Sequence, residues 1–316
     1  LVTDSGGNAV PNETVTFTVV SGGGSVSLAT VNTNASGLAS VTWTLGTSVG
    51  ANSLTASLTG GAPSVTFTAT GTVGPAVNIA INAGNNQSAT AGTAVATDPQ
   101  VLVTDANGNP VSGETVTFSP TGSGVVSPAS ATTDANGLAS VSWTLDPDAT
   151  ASNRLIAVIT AGSVTFDATG TVGAAANIAI NAGDGQSATA GTAVATDPRV
   201  LVTDANGNPV SGETVTFAVA TGGGSVSSAT ATTDANGLAS TGWTLGTTAG
   251  ANTLTASSSA GSVTFSATGT VGAATTIAID AGDGQTGTAG AALPTDPRVL
   301  VTDSGGNAVP NETVTF

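Results

Sequence analysis

The side chains of this chain that can do chemistry are carboxylates set in glycine-containing loops. Asp98, Asp105 and Asp134 recur a hundred residues later as Asp197, Asp204 and Asp234, and Asp184 and Asp283 open a Gly-rich turn in later copies. Ca²⁺ takes six to eight oxygens, several from carboxylates and the rest from carbonyls. A run such as Asp105-Ala-Asn-Gly supplies oxygens of that kind. It lacks the D-x-[DN]-x-[DN]-G-x5-E spacing of a dedicated calcium loop. Asp and Asn ahead of Gly are also ordinary turn formers, because their side chains accept the N–H two residues on. No metal site is therefore assigned. The eight aspartates stand as weak calcium candidates, with calcium the one cofactor considered and a short domain junction the place where several would converge.

Glu114 and Glu213 each open a strand after a turn, and Glu13 and Glu312 hold the same place at the two ends. A catalytic carboxylate pair needs a partner within a few ångströms and a cleft. A glutamate repeated in every copy reads instead as a turn residue, with Arg199 or Arg298 the expected partner. The Gly-rich stretches at 21–25 and 221–225 lack the lysine and following helix of a phosphate cradle. No catalytic or cofactor-binding residue is assigned.

Composition narrows the chemistry further. The 316 residues include no Cys, His, Met or Tyr, and the only cations are Arg154, Arg199 and Arg298 against 19 acidic residues. Serine and cysteine triads, the usual zinc sites and Schiff-base lysines are all excluded. A net charge of −16 gives no basic footprint for nucleic acid. No apolar run approaches the roughly 20 residues of a membrane span. Charged residues are 7% of the chain, against roughly 25% in an average soluble domain. Hydrophobic residues are still 39%, enough to bury cores.

These loops must be positioned by a repeating scaffold. Trp43, Trp143 and Trp243 are spaced by 100 residues, and the block VLVTDANGNPVSGETVTF occurs at 101–118 and again at 200–217. A unit of about 100 residues is long enough for its own core. Residues 1–17 and 300–316 are identical, a longer period of 299 residues. The expected organisation is a partial domain at 1–74 lacking its first strands, complete domains at 75–173 and 174–272, and the first strands of another at 273–316. The chain is expected to be a window on a longer array, with Leu1 not the natural N-terminus.

Within the unit from Pro75, residues 76–81 alternate, with Val77, Ile79 and Ile81 on one side. Residues 82–92 read as a polar turn segment. Strands are expected at 99–105, 114–118, 137–145, 154–160 and 163–172. Val116, Phe118, Ala139, Val141, Trp143, Leu145, Val164 and Phe166 point inward. About seven short strands rich in Val, Thr, Ile and Phe, with turn signals at their ends and no helical period, predict an all-β fold. The expected architecture is a series of immunoglobulin-like antiparallel β-sandwiches stacked end to end as an elongated rod.

Three blocks recur in order: VTDANGNPV.GE.VTF, TTDANGLAS…WTL and VTF.ATGTVG. Together they resemble the bacterial immunoglobulin-like group 1 repeat of intimin/invasin-type and other large surface proteins. The resemblance spans the whole chain and implies tandem Ig-like domains outside the cell, without implying a ligand.

The expected function is a non-enzymatic array forming an extracellular filament or cell-surface fibre. The alternatives are the stalk of a giant adhesin presenting a distal tip domain, and a multivalent carbohydrate-binding array. The expected partners are copies of the same chain, laterally or end to end, and a host or neighbouring-cell glycan or protein reached through parts outside this segment. Asn12, Asn34, Asn86 and Asn311 stand in Asn-x-Ser/Thr sequons.

Overall fold

A computed structural model describes residues 1–61 and 63–316, and every regular element among them is a β-strand. The chain forms two compact units. One comprises Leu1–Ala89, Thr93–Asp146 and Ala151–Thr169; the other comprises Thr90–Gly92, Pro147–Thr150 and Gly170–Phe316.

The first unit opens with a four-stranded sheet in the order Thr30–Asn32, Thr14–Ser21, Gly50–Leu58, Ser64–Gly71. A fuller sandwich follows. One of its sheets runs Ser130–Thr132, Thr115–Pro120, Ser152–Ile159, Gly162–Thr171, Gln87–Thr90. The other runs Leu138–Ser140, Gln100–Thr104, Asn78–Ala83, and Val125–Ser127 pairs separately with Ser142–Thr144.

The reason these residues make strands is visible in their burial. Thr115–Pro120 places Val116 and Phe118 inward and its threonines outward, and Ser152–Ile159 alternates the same way. Strand alternation sends successive side chains to opposite faces. Inward residues of both sheets meet in one core built on Val101, Val103, Phe118, Trp143, Leu155 and Phe166, with Ile79, Ile81 and Val164 packed against it. The second unit repeats the pattern, with Val200, Val202, Phe217, Trp243, Leu254 and Phe265 at its centre. The chain is thus all-β, built of immunoglobulin-like sandwiches.

Two sequence expectations need correction. Residues 82–92 are not all turn: Gln87–Thr90 is a strand, and its counterpart Gln186–Thr189 pairs in parallel with Ala267–Thr270. Its side chains are polar or small, so it carries almost no hydrophobic period. Residues 137–145 are two strands rather than one. Leu138–Ser140 pairs with Gln100–Leu102, whereas Ser142–Thr144 pairs with Val125–Ser127. Val141 lies at the break, donating its N–H to Pro99 O at 3.2 Å. The inward alternation passes through this change of partner undisturbed, with Ala139, Val141, Trp143 and Leu145 all buried.

Phe166 is fully buried. Phe166→Ala is expected to destabilise its sandwich by about 3–5 kcal/mol, the usual range for emptying a buried aromatic site. Denaturant unfolding followed by amide exchange should show the loss in strands flanking Phe166 and leave those around Phe265 unchanged.

Candidate functional site at the joint loops

The loop that follows strand Gln100–Thr104 is organised by one carboxylate. Asp105 donates its N–H to Asn109 O at 2.9 Å, and Gly108 returns an N–H to Asp105 O at 3.1 Å. The Asp105 Oδ1 accepts the N–H groups of Asn107 and Asn109, each at 2.9 Å. Its Oδ2 accepts the Asn109 side-chain amide at 2.9 Å and the Gly74 N–H at 3.0 Å. Gly74 lies in the segment joining strand Ser64–Gly71 to strand Asn78–Ala83. A turn and the connecting chain are therefore tied to the same side chain, which is buried.

Asn109 extends the clamp. Held against Asp105, it donates its amide to Thr47 O at 2.9 Å, and its Oδ1 faces the Val49 N–H at 3.4 Å. Thr47 and Val49 belong to the loop between strands Trp43–Leu45 and Gly50–Leu58 of the preceding sheet. A side-chain amide has a donor and an acceptor side by side, so it reads a peptide's C=O and N–H together.

The second unit holds the same constellation twice. Asp204 accepts the Gly173 N–H at 2.9 Å, while Asn208 donates to Pro147 O and accepts from the Ala149 N–H, both at 2.9 Å. Asp303 accepts the Gly272 N–H at 2.8 Å. Asn307 donates to Thr247 O at 2.8 Å and accepts from the Ala249 N–H at 2.7 Å.

The donors set the electrostatics. The Asn109 amide and the Gly74 N–H hold the Asp105 carboxyl at about 2, and the Gly272 N–H and Asn307 amide do the same for Asp303. Burial opposes ionisation of Asp204, yet the Asn208 and Gly173 donors leave its pKa below the ordinary value. A carboxylate accepting several N–H bonds is favoured in its charged form.

The other candidate aspartates serve single turns. Asp134 and Asp234 each accept two backbone N–H groups, from Asn136 and Leu138 and from Asn236 and Leu238. Asp184 accepts the N–H and hydroxyl of Ser266, and Asp283 the N–H of Gly284. Asp98 and Asp197 are exposed. Among the described residues, no three acidic side chains come together as a metal would require.

The expected Glu–Arg partnership does not form at Glu213, which accepts from the Ser259 N–H and hydroxyl at 3.0 and 2.7 Å. The arginines reach across strand pairs instead, Arg154 to Asp167, Arg199 to Asn181 and Arg298 to Asp280. The sequence reading missed Asn109, Asn208, Asp303 and Asn307. The available signal was an Asn four residues after an Asp in all four copies, at 4/8, 105/109, 204/208 and 303/307.

Repeated β-sandwiches with an Asp–Asn clamp at three successive joint loops define a class of tandem-domain protein. The sequence pattern of the bacterial Ig-like domain (group 1) matches residues 78–159. Residues 78–159 are thus a bacterial Ig-like domain of this group, and the repeats of the chain are like those of intimin/invasin adhesins.

It is 34% identical over 243 residues to the inverse autotransporter adhesin YeeJ of Escherichia coli K12. That match covers 68% of this chain and 10% of the relative, so the chain spans about a tenth of it. Among solved structures, the E. coli adhesin FdeC aligns with a TM-score of 0.44 at 20% identity, over 84% of this chain and 90% of the other. Yersinia pseudotuberculosis InvD aligns with a TM-score of 0.42 at 17% identity, over 96% and 91%.

Asn109→Ala removes the clamp on Thr47 and Val49. The chain has no cysteine, so spin labels at Thr18→Cys and Thr117→Cys report on the first joint alone. The Asn109→Ala background is expected to broaden their distance distribution while both sheets stay folded.

The depressed aspartate pKa values fix a direction with pH. The contribution of Asp105 and Asp303 to the joints is present above the unfolded carboxyl range. It is lost as pH falls from about 4 through the folded value of about 2. The same label pair should give one distribution from pH 7 to 5 and a broader one near pH 2.

Proposed function

We propose that this chain is a length of the stalk of an inverse-autotransporter-type adhesin, holding a distal binding part away from the cell surface. It is exposed at the cell surface and is not an enzyme. The observation that carries the reading is the repeated Asp–Asn joint clamp, seen at Asp105/Asn109, Asp204/Asn208 and Asp303/Asn307. A connector of six residues, 72–77, with its Gly74 N–H fixed to a buried carboxylate, is not the free Gly/Ser coil that would let neighbouring domains swing. The domain edges fall at 74/75, 173/174 and 272/273, each just after the glycine that donates to the aspartate.

The likeness to the E. coli adhesin YeeJ supports the stalk over the self-assembling filament. Other solved adhesins share this fold type, among them one described as an integrin-binding invasin and an intimin fragment in complex with the translocated intimin receptor. By analogy, a host-surface protein engaged by a part beyond this segment is the partner of the whole molecule.

In-frame removal of residues 174–272 from the surface protein that carries this chain tests the assignment. A stalk predicts shorter projections in electron micrographs and unchanged ligand capture per molecule. Loss of capture, with normal display, would place the binding surface in the repeats themselves. Uniform bundles of several chains per fibre would restore the filament reading.

A further inference from the structure

Four Asn-Gly pairs occur in the chain, Asn107-Gly108, Asn136-Gly137, Asn206-Gly207 and Asn236-Gly237, and each is preceded by Asp-Ala. Asn-Gly is the sequence most prone to spontaneous deamidation. The glycine nitrogen attacks the asparagine Cγ, ammonia leaves, and a succinimide ring forms. Water then opens the ring to aspartate or isoaspartate. An isoaspartate adds a methylene to the backbone and would ruin a tight turn.

The fold enforces the glycine. Gly137 has a φ of +74°, and a Cβ there would lie 2.5 Å from Val103 O. A left-handed residue pressed against backbone admits little else. The asparagine is not enforced: in the first copy the same turn reads Asn34-Ala-Ser36-Gly37, which has no Asn-Gly pair.

All four pairs share one set of bonds. The nucleophilic glycine N–H is occupied, donating to the aspartate carbonyl at 3.1, 3.0, 3.2 and 3.0 Å for Gly108, Gly137, Gly207 and Gly237. The N–H of each asparagine is pinned to the carboxylate Oδ1 of the same aspartate at 2.8–2.9 Å. In one turn the electrophile is held as well. The Asn206 amide is held by Ala91 O at 2.8 Å.

We propose that the aspartate of each Asp-Ala-Asn-Gly turn guards the adjacent Asn-Gly pair against cyclisation, and that these four asparagines are the first covalent damage sites once the guard is lost. The carboxylate fixes the asparagine backbone in the turn conformation. The main-chain carbonyl of the same aspartate occupies the attacking nitrogen, so cyclisation requires the whole turn to open. A shaft that outlives its synthesis outside the cell, where the chain cannot be renewed piecemeal, has reason to keep such a guard.

The test is Asp134→Ala in the full chain, incubated at mildly alkaline pH and read by peptide mass spectrometry for aspartate and isoaspartate at all four sites. Asn136 is expected to deamidate about tenfold faster than in the unsubstituted chain, the factor that loss of a strong hydrogen bond allows. Asn107, Asn206 and Asn236 serve as internal controls and should not change. An unchanged rate at Asn136, with native circular dichroism and tryptophan fluorescence, would overturn the proposal.

Should Asp134→Ala unfold its sandwich, Asp134→Asn decides, because it keeps the oxygen that accepts the Asn136 and Leu138 N–H groups. Protection retained there supports the guard. A rate at Asn136 equal to that of the urea-denatured chain overturns it.

Discussion

A carboxylate buried beside a chain connection must be surrounded by donors, and that requirement orders the rest of this structure. Asp105 has four N–H groups of its own turn and connector directed at it, including the Asn109 amide. Satisfying the charge fixes the turn, the turn fixes Asn109, and Asn109 reaches the loop of the preceding sheet. Left unpaired, a buried carboxylate would neutralise itself or open the site to water. Local turn formation and the setting of one sandwich on its neighbour within the first unit are therefore a single event. The same coupling is written at Asp303 and Asn307 in the second unit.

The core was legible in the sequence because the strands alternate cleanly. Val116, Phe118, Trp143 and Phe166 read as inward from period two alone and are all buried. Gln87–Thr90 was not legible, since Ser, Ala and Thr fit a strand or a turn equally well without their partner strand. The break at Val141 was hidden for a different reason: its side chain keeps the inward phase while the backbone changes partners. Of the joint site, Asp105 and Asp204 were visible as repeated carboxylates. Their asparagines were not, because an Asn in a Gly-rich loop looks like turn chemistry, and its second role depends on a loop some 60 residues earlier.

A surface so poor in charge shifts the burden of order onto neutral hydrogen bonds. Arginine pairs are few and lie across strand pairs at the surface, where ion pairs contribute little. The sheets instead present Thr and Ser outward, as in the cross-strand pairs Ser21 with Ser53 and Thr221 with Thr253. The joints are specified by amide groups for the same reason. Such contacts are much less sensitive to salt than exposed ion pairs, which suits a molecule whose surroundings are not buffered by a cell.

The strand missed in the sequence has a mechanical meaning. Gln186–Thr189 is the second strand of its sandwich in chain order, and it runs parallel to Ala267–Thr270, the end of the last strand, where the chain leaves. Tension applied at the two ends of that sandwich pulls these strands past one another along their length. Their ladder bonds are then strained in shear, so that several must fail together. Had the two strands been antiparallel, the same pull would have peeled them apart one bond at a time. Four unassuming residues, without a large apolar side chain among them, therefore act as the lock on the load path of the domain.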